Sequence, residues 1–421
     1  MGSVQDRVMA DARADHTAPR RTIPRWSDIK PLLAFQPPRL SGSARLARAT
    51  TVDDLRLLAA RRTPRAVFDY VDGGAEAEVS MARSRRSFAE IRFHPHVLRD
   101  VGTVSTATTI LGRPAGLPVV LAPTGFTKLV HHHGEVGVAG AARRVGIPYT
   151  LSTMGTTSIE ELSRVVPGAD LWFQLYMWRD RELSRDLIDR ALASDFAALV
   201  LTVDVPVAGS RLRDTRSGFT MPPTLSVRTV ADMARHPSWW LNMLTGGPLG
   251  FASMDSSPAS VAQTIQRMFD PTVTFADLGW IREMWPRPLV VKGIQRVDDA
   301  VRAVEAGADA VVLSNHGGRQ LDRSAAPLEL LPAVRDAVQD RVEVLVDGGV
   351  RSGADVAAAV GLGANAVMIG RSYLYGLMAG GGSGVDRTLE ILRTELARTM
   401  QLLGARRIQD LSTDLVELGG A

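Results

Sequence analysis

From Leu117 onward, eight short apolar runs alternate with amphipathic segments, and this rhythm limits the fold more than any other feature of the chain. The runs are "LPVVLAP", "IPYTLST", "LWFQLYM", "AALVLTVD", "PLVVKG", "AVVLSNHG", "VEVLVDGG" and "AVMIGRS". Between them lie helical stretches such as "GEVGVAGAARRVG", "RELSRDLIDRALAS", "VDDAVRAVEAG" and "SGADVAAAVGLG". A strand with no polar face must be covered on both sides, which is the condition of a parallel sheet wrapped in helices. Eight strand–helix units predict an α/β fold, a (β/α)8 TIM barrel. A doubly wound sheet is the alternative, but no GxGxxG follows the first run.

The flanks read differently. Residues 1–50 are rich in Arg, Pro, Ala and Ser without clear periodicity, and are expected to be a flexible N-terminal extension. Residues 51–421 form the barrel domain. A helix is expected to start at Thr51, an N-cap before "VDDLRLLAARR". A second helical segment follows Pro64 in "PRAVFDYVDGGAEAEVSMARSRRSF". Residues 213–285 are an insertion between the fourth and fifth strands, of a length that is usually functional or mobile. The chain has no Cys, which excludes disulfides, thiolate metal sites and a Cys nucleophile. The net charge is only +4 and the arginines are scattered, which argues against a nucleic-acid partner. No apolar run reaches the ~18 residues of a membrane span. The N-terminus has no apolar signal region, so a cytoplasmic protein is expected.

In this barrel, chemistry gathers where strands end. Here those ends are polar throughout: "APTG", Ser152-Thr153-Met154, Gln174 and Tyr176, Thr202 and Asp204, Lys292, His316 and Arg319, "DGGVR", and Gly370-Arg371. "DGGVRSG" places Gly348 and Gly349 where bare backbone N–H groups can approach an anion, with a helix start behind. "IGR" repeats the arrangement, and Arg351 and Arg371 add forked donors. A phosphate-bearing ligand is therefore expected after strands seven and eight. In "VVLSNHGGRQLD", Gly317 and Gly318 let the loop curl so that His316 and Arg319 face one point. A guanidinium suits a carboxylate, and an imidazole suits a proton near neutral pH. Asp204 can orient His316, and Arg211 can supply a second guanidinium.

These motifs resemble the FMN-dependent α-hydroxy acid oxidising enzymes, which include glycolate oxidase, lactate oxidase, mandelate dehydrogenase and L-lactate dehydrogenase. "SNHGGRQLD" looks like the family's signature, and "FDYVDGGAE", "APTG", "FQLY", "LTVDVP", "VVKG" and "DGGVRSG" match in the same order from residue 51 to the C-terminus. "FDPTVTFADLGWIREMWP" adds a likeness to quinone-linked bacterial L-lactate dehydrogenases. The resemblance implies noncovalent FMN and a small (S)-2-hydroxy acid, first among them L-lactate, with electrons passing to quinone or another non-oxygen acceptor. It implies His316 as base with Asp204 behind it. Arg319, Arg211 and Tyr70 would hold the substrate carboxylate, and Tyr176 its hydroxyl. Lys292 would sit at the flavin pyrimidine edge. Ser152, Gln174, Thr202 and Ser314 would contact the flavin, with the backbone of Pro123, Thr124 and Gly125 along its ring. Asp347, Gly349, Arg351, Gly370 and Arg371 would bind ribityl and phosphate. The family often forms tetramers.

Other hydroxy acids, such as glycolate, mandelate or longer chains, fit the same pattern, as does a phosphate-ligand-binding barrel without catalysis. Met154 stands where plant-type glycolate oxidases carry Trp, which leaves the substrate side chain open. Gly125 stands where oxidases often carry Ala, which favours an acceptor other than oxygen. "HHHGE" at His131–Glu135 is not expected to hold a metal, since three consecutive residues do not share a helix face. In the insertion, Trp239, Trp240, Leu241, Met243, Leu244, Leu249 and Phe251 crowd one short segment. They would cover the barrel mouth, pack between subunits, or lie on a membrane surface.

Overall fold

A computed structural model describes residues 24–30, 42–218, 227–246, 250–254 and 268–419. The chain divides into two units, Met1–Ser41 and Gly42–Ala421. In the first, a short helix, Trp26–Ile29, is closed by the Asp28 carboxylate, which accepts the Arg25 N–H at 3.1 Å.

The second unit holds the expected barrel. Its strands are β1 (Val119–Leu121), β2 (Tyr149–Ser152), β3 (Leu171–Leu175), β4 (Ala198–Thr202), β5 (Leu289–Ile294), β6 (Ala310–Leu313), β7 (Glu343–Asp347) and β8 (Ala366–Ile369). Each lies inside one of the eight apolar runs, save that β5 runs one residue beyond "PLVVKG" to Ile294. They pair in parallel in sequence order, and β8 closes on β1 with Val367 opposite Val119. Alternate residues point to opposite faces of a strand, and the burial divides accordingly. Val120, Val200, Val290, Val312, Leu345 and Met368 form one buried cluster. Their neighbours Val119, Leu121, Leu199, Leu201, Val311 and Leu313 join the larger core shared with the helices. The continuous apolar runs are thus explained: one alternation fills the barrel and the other packs under the helical ring.

Before the barrel, the Thr51 cap forms as expected. Its Oγ1 accepts the Asp54 N–H at 3.1 Å, and the Asp54 carboxylate accepts the Thr51 N–H at 3.0 Å. Two helices, Trp26–Ile29 and Gly42–Ala47, lie inside the stretch expected to be flexible. The segment after Pro64 is not one helix. It breaks into Arg65–Asp72 and Val79–Ala89 across the extended Gly73 and the left-handed Glu78. A Cβ on Gly73 would stand 2.7 Å from the Asp69 carbonyl, so glycine is needed where the chain leaves the helix.

Of the insertion, helices Leu212–Ser217, Val227–Ala234, Pro237–Thr245 and Ala276–Met284 are described. Trp239 faces inward, its Nε1 donating to the Leu129 carbonyl at 2.8 Å. Phe251 is fully buried against Phe126, with ring centres 4.8 Å apart. Leu241 and Leu244 face solvent. Leu249 lies outside the described residues. No helix among the described residues is long and apolar enough to cross a membrane.

The three histidines precede the helix Gly134–Val145 instead of lying on it, so a helix-face argument does not apply to them. Their rings converge within 4.5–4.6 Å. Nδ1 of His131 accepts the His133 N–H, and Nδ1 of His133 accepts the Gly382 N–H. A neutral ring that accepts at Nδ1 carries its proton on Nε2, so the other ring nitrogen of each is a donor. Burial first, then His133, His132 and Arg62, pull the His131 pKa down to about 3.

Candidate active site

The strand ends converge on one cavity at the C-terminal face of the barrel. The turn after β6 explains why an apolar strand releases an imidazole and a guanidinium. His316, Gly317 and Gly318 have φ of 57°, 64° and 71°, three left-handed residues in succession. Gly317 and Gly318 adopt this freely, whereas His316 is strained by on the order of 1–3 kcal/mol. Side chains at either glycine would also collide: a Cβ would lie 2.8 Å from Arg371 Nη1 at Gly317 and 2.7 Å from the Met81 nitrogen at Gly318. Asn315, fully buried, holds the turn by accepting the Gly318 N–H at 3.0 Å and donating to Ser84 Oγ at 3.0 Å.

The turn brings His316 Nδ1 to 3.1 Å from Asp204 Oδ1. Asp204 reaches it because Gly293, at φ 114°, leaves room beside β5; a Cβ there would stand 2.8 Å from the Asp204 side chain. Burial pushes the Asp204 carboxyl up, but His316 and then Lys292 hold it below the usual range, so it is ionised. A carboxylate only accepts, so His316 carries a proton on Nδ1, and the neutral form of the ring has its lone pair at Nε2.

Beside this couple stands a cationic cradle. The Arg211 and Arg319 guanidiniums lie 5.3 and 5.2 Å from the centre of the Tyr70 ring. Arg319 Nη1 donates to the carbonyls of Tyr70 and Gly73, and to no carboxylate among the described residues. Burial, then Arg211, pull its pKa down to about 10. Arg211 is 3.2 Å from Asp214. The break in the helix at Gly73 is what frees these carbonyls, and it also receives Arg371, which donates to Val71, Gly73 and Gly317.

Lys292 on β5 is buried. Burial pulls its pKa down, but Asp347 at 2.8 Å and then Asp204 more than offset this, leaving it raised. It also donates to Ser314 Oγ at 2.9 Å, which leaves one of its three donors for a ligand. Gln174 accepts from Ser152 Oγ at 3.0 Å, while its Nε2, Thr202 Oγ1 and Asp347 Oδ1 are buried with no hydrogen-bond partner. Buried polar groups are almost always paired. A ring with both donors and acceptors along one edge, carrying a hydroxylated chain, would satisfy all three, and FMN has both features.

The phosphate end differs in detail from the expectation. The helix start behind "DGGVRSG" is already closed: Ser352 Oγ accepts the Asp355 N–H, and the Asp355 carboxylate accepts the N–H groups of Arg351 and Ser352. The open start is that of Arg371–Gly380, whose N-cap Gly370 supplies no side-chain partner, so its first N–H groups are available to an anion. Arg371 uses three N–H groups on carbonyls and keeps two. Arg351 Nη1 pairs with Asp53 at 2.6 Å while the residue still lines the cavity.

Of the residues expected at the site, Tyr70, Pro123, Thr124, Gly125, Ser152, Tyr176, Arg211, Lys292, His316, Arg319, Asp347, Gly349, Arg351, Gly370 and Arg371 line this cavity. Gln174, Thr202, Asp204 and Ser314 are not lining residues, but each adjoins one that is. Thr124 spends its hydroxyl on Tyr373, 2.5 Å away.

Several supports escape a reading of motifs. Gln320 bridges the loops after β6 and β4, donating to the carbonyls of Asp204 and Val207 and accepting the Gly209 N–H. Asp322 caps the helix Val79–Ala89 from across the fold, accepting the Ser80 N–H at 2.8 Å. Glu135, fully buried, accepts from Thr127, Thr156 and Thr157 and so fastens the loops after β1 and β2. Phe269 enters the wall from the far end of the insertion. The one available signal was Glu135 in "HHHGE", a carboxylate inside an otherwise apolar helical stretch.

The family model for FMN-dependent dehydrogenases matches residues 59–418. A Mycobacterium tuberculosis protein with a provisional L-lactate dehydrogenase name is 53% identical over 407 residues, 96% of this chain and 98% of that protein. An L-lactate dehydrogenase of Caulobacter vibrioides is 42% identical, over 87% of this chain and 97% of its own. Among solved structures, a monotopic membrane protein, (S)-mandelate dehydrogenase, superposes with a TM-score of 0.85 at 39% identity, covering 88% of this chain and all of that one. A mandelate oxidase variant superposes with a TM-score of 0.76 at 38% identity, covering 89% of this chain and all of that one. Because the match runs through all eight strands and every loop of the cavity, the chain belongs to the FMN-dependent dehydrogenase family.

Proposed function

We propose that the protein is an FMN-dependent L-lactate dehydrogenase that oxidises lactate to pyruvate and passes the electrons to quinone or another non-oxygen acceptor. The observation that carries this reading is the His316–Asp204 couple, 3.1 Å apart, next to the Arg211–Tyr70–Arg319 cradle. A 2-hydroxy acid has a carboxylate for the cradle and a proton for the base on adjacent carbons. The names of the two bacterial relatives favour lactate among such acids.

FMN supplies the two-electron acceptor. Its ring would lie along Pro123–Gly125 with Lys292, Gln174 and Ser152 at its polar edge, and its phosphate at Gly349, Gly370 and the two arginines. Arg211 and Arg319 bind the substrate carboxylate as a fork. Tyr176, whose phenol is pushed up by burial and then by Asp204 and Tyr70, stays protonated and donates to the substrate hydroxyl. His316 takes the substrate's proton at Nε2, and Asp204 stabilises the resulting imidazolium. Acid precipitation is expected to release FMN into the supernatant. Under anaerobic conditions L-lactate alone should bleach the yellow protein. Release of a different cofactor, or flavin that no hydroxy acid bleaches, would refute the proposal.

The acceptor reading rests on Gly125. A Cβ there would stand 2.9 Å from the Met154 Cβ, so the loop beside the flavin ring is built around a missing side chain. By the family likeness we also propose a cytoplasmic homo-tetramer, peripheral on the inner face of the membrane. Leu241 and Leu244 face outward from the insertion and suit a shallow membrane contact, whereas the buried Trp239 does not. Oxygen is expected to be a poor acceptor. Leu241→Ser with Leu244→Ser should reduce turnover with long-tailed quinone in liposomes and spare turnover with water-soluble acceptors. Equal losses with both acceptors would assign the two leucines another role, and faster turnover with oxygen than with every quinone would reverse the acceptor.

A further inference from the structure

Resting on the hydroxy-acid reading, we propose that Phe269 is a specificity-determining residue that limits the size of the substrate's side chain. Tyr176 and the Arg211–Arg319 cradle fix where the hydroxyl and carboxylate lie. The third substituent of the same carbon must then meet other parts of the lining, whose apolar side chains include Met154, Val205 and Phe269. Phe269 stands edge-on to Tyr176, with ring centres 5.7 Å apart and planes at 79°. It is thus one ring away from the residue expected to hold the hydroxyl.

The ring is not carried on a loose loop end. Met268 before it is fully buried. Asp270 after it is an anchor. Its carboxylate takes Arg181 Nη1 at 2.8 Å, the Thr272 N–H at 3.0 Å and Thr272 Oγ1 at 2.6 Å. Arg181 starts the helix that follows β3, the strand whose end presents Tyr176, and it also pairs with Asp277 at 2.9 Å. The insertion is therefore pinned to the same strand–helix unit that carries Tyr176, and the spacing of the two rings is set by that anchor. A ring so placed closes the space beyond a short side chain, while an unbranched side chain such as Met154 in the same lining can adjust.

The test compares anaerobic flavin reduction by L-lactate, (S)-2-hydroxyhexanoate and (S)-mandelate in the parent, Phe269→Ala and Phe269→Trp. Removing a ring from an apolar pocket changes discrimination by roughly 10-fold or more. Phe269→Ala is expected to raise the efficiency ratio of the two larger acids to lactate by that factor. Phe269→Trp should lower the ratio, and Arg181→Met, which releases the anchor, should raise it by less. Ratios within twofold of the parent in both Phe269 variants, with lactate still reducing the flavin, would overturn the proposal and leave the functional reading intact. A parent protein that no hydroxy acid reduces would overturn both.

Discussion

His316→Asn is expected to keep its FMN and to lose flavin reduction by lactate by a factor of about 10² to 10⁴, the usual contribution of a positioned base. Asparagine is the informative replacement because position 316 has φ 57°. Of the non-glycine residues, asparagine tolerates that conformation best, so the turn that also carries Arg319 should survive. Stopped-flow reduction at saturating lactate would read the chemical step, and the dissociation constant would stay close to the parent's because the cradle is untouched. Asp204→Asn should fall in the same range for a different reason. The amide can donate to Nδ1, which favours the tautomer with its lone pair turned away from the substrate. Near-normal reduction in His316→Asn would remove the residue from the mechanism.

These two residues show what is legible in the sequence and what is not. The barrel was readable because each strand is apolar on both faces, a demand that few folds make. The base, its carboxylate and the clamp were readable because they sit at strand ends, where a break from Val and Leu to Asn, His or Asp is visible in a linear string. The residues that hold them in place gave no such break. Gln320 acts on Val207, Asp322 on Ser80, and Asn315 on Ser84, and nothing local in the sequence marks partners so distant. The helical segment after Pro64 misled for a related reason. Its apolar spacing continues through Gly73, but the carbonyls of Tyr70, Val71 and Gly73 are wanted by Arg319 and Arg371, and tertiary donors win over one more helical turn. The open helix start after β8 and the closed one after β7 also look alike as "GR" and "GGVR". Only the Ser352–Asp355 capping box separates them, and its pattern is in the string for a reader who looks three residues ahead.

Asp72 is the last residue of the helix that stops at Gly73 and is where a single charge should matter most for stability. Arg56 grips its carboxylate with two bonds of 2.6 and 2.9 Å, Arg213 adds one of 2.8 Å, and the Tyr375 hydroxyl another of 2.8 Å. Its side chain is only 4% exposed. Burial pushes the pKa up, but Arg56, Tyr375 and Arg213 hold it well below the usual carboxylate range. Arg56 and Arg213 keep about a third of their side chains exposed, so losing the carboxylate costs about 1–3 kcal/mol, less than breaking a fully buried pair. Asp72→Asn is therefore expected to lower the unfolding temperature by several degrees at pH 7. The acid dependence fixes the cause. A carboxyl whose pKa falls on folding stabilises the protein above its unfolded value, about 3.9, and loses that contribution as pH drops toward the folded value. The parent should thus weaken steeply below about pH 4, and the variant should weaken less, so that their unfolding temperatures approach each other in acid. Arg213 begins the insertion two residues after Arg211, so its release should also raise the dissociation constant for lactate while sparing the limiting rate of reduction. If the gap in unfolding temperature is the same at pH 7 and in acid, Asp72 contributes by packing and not by charge.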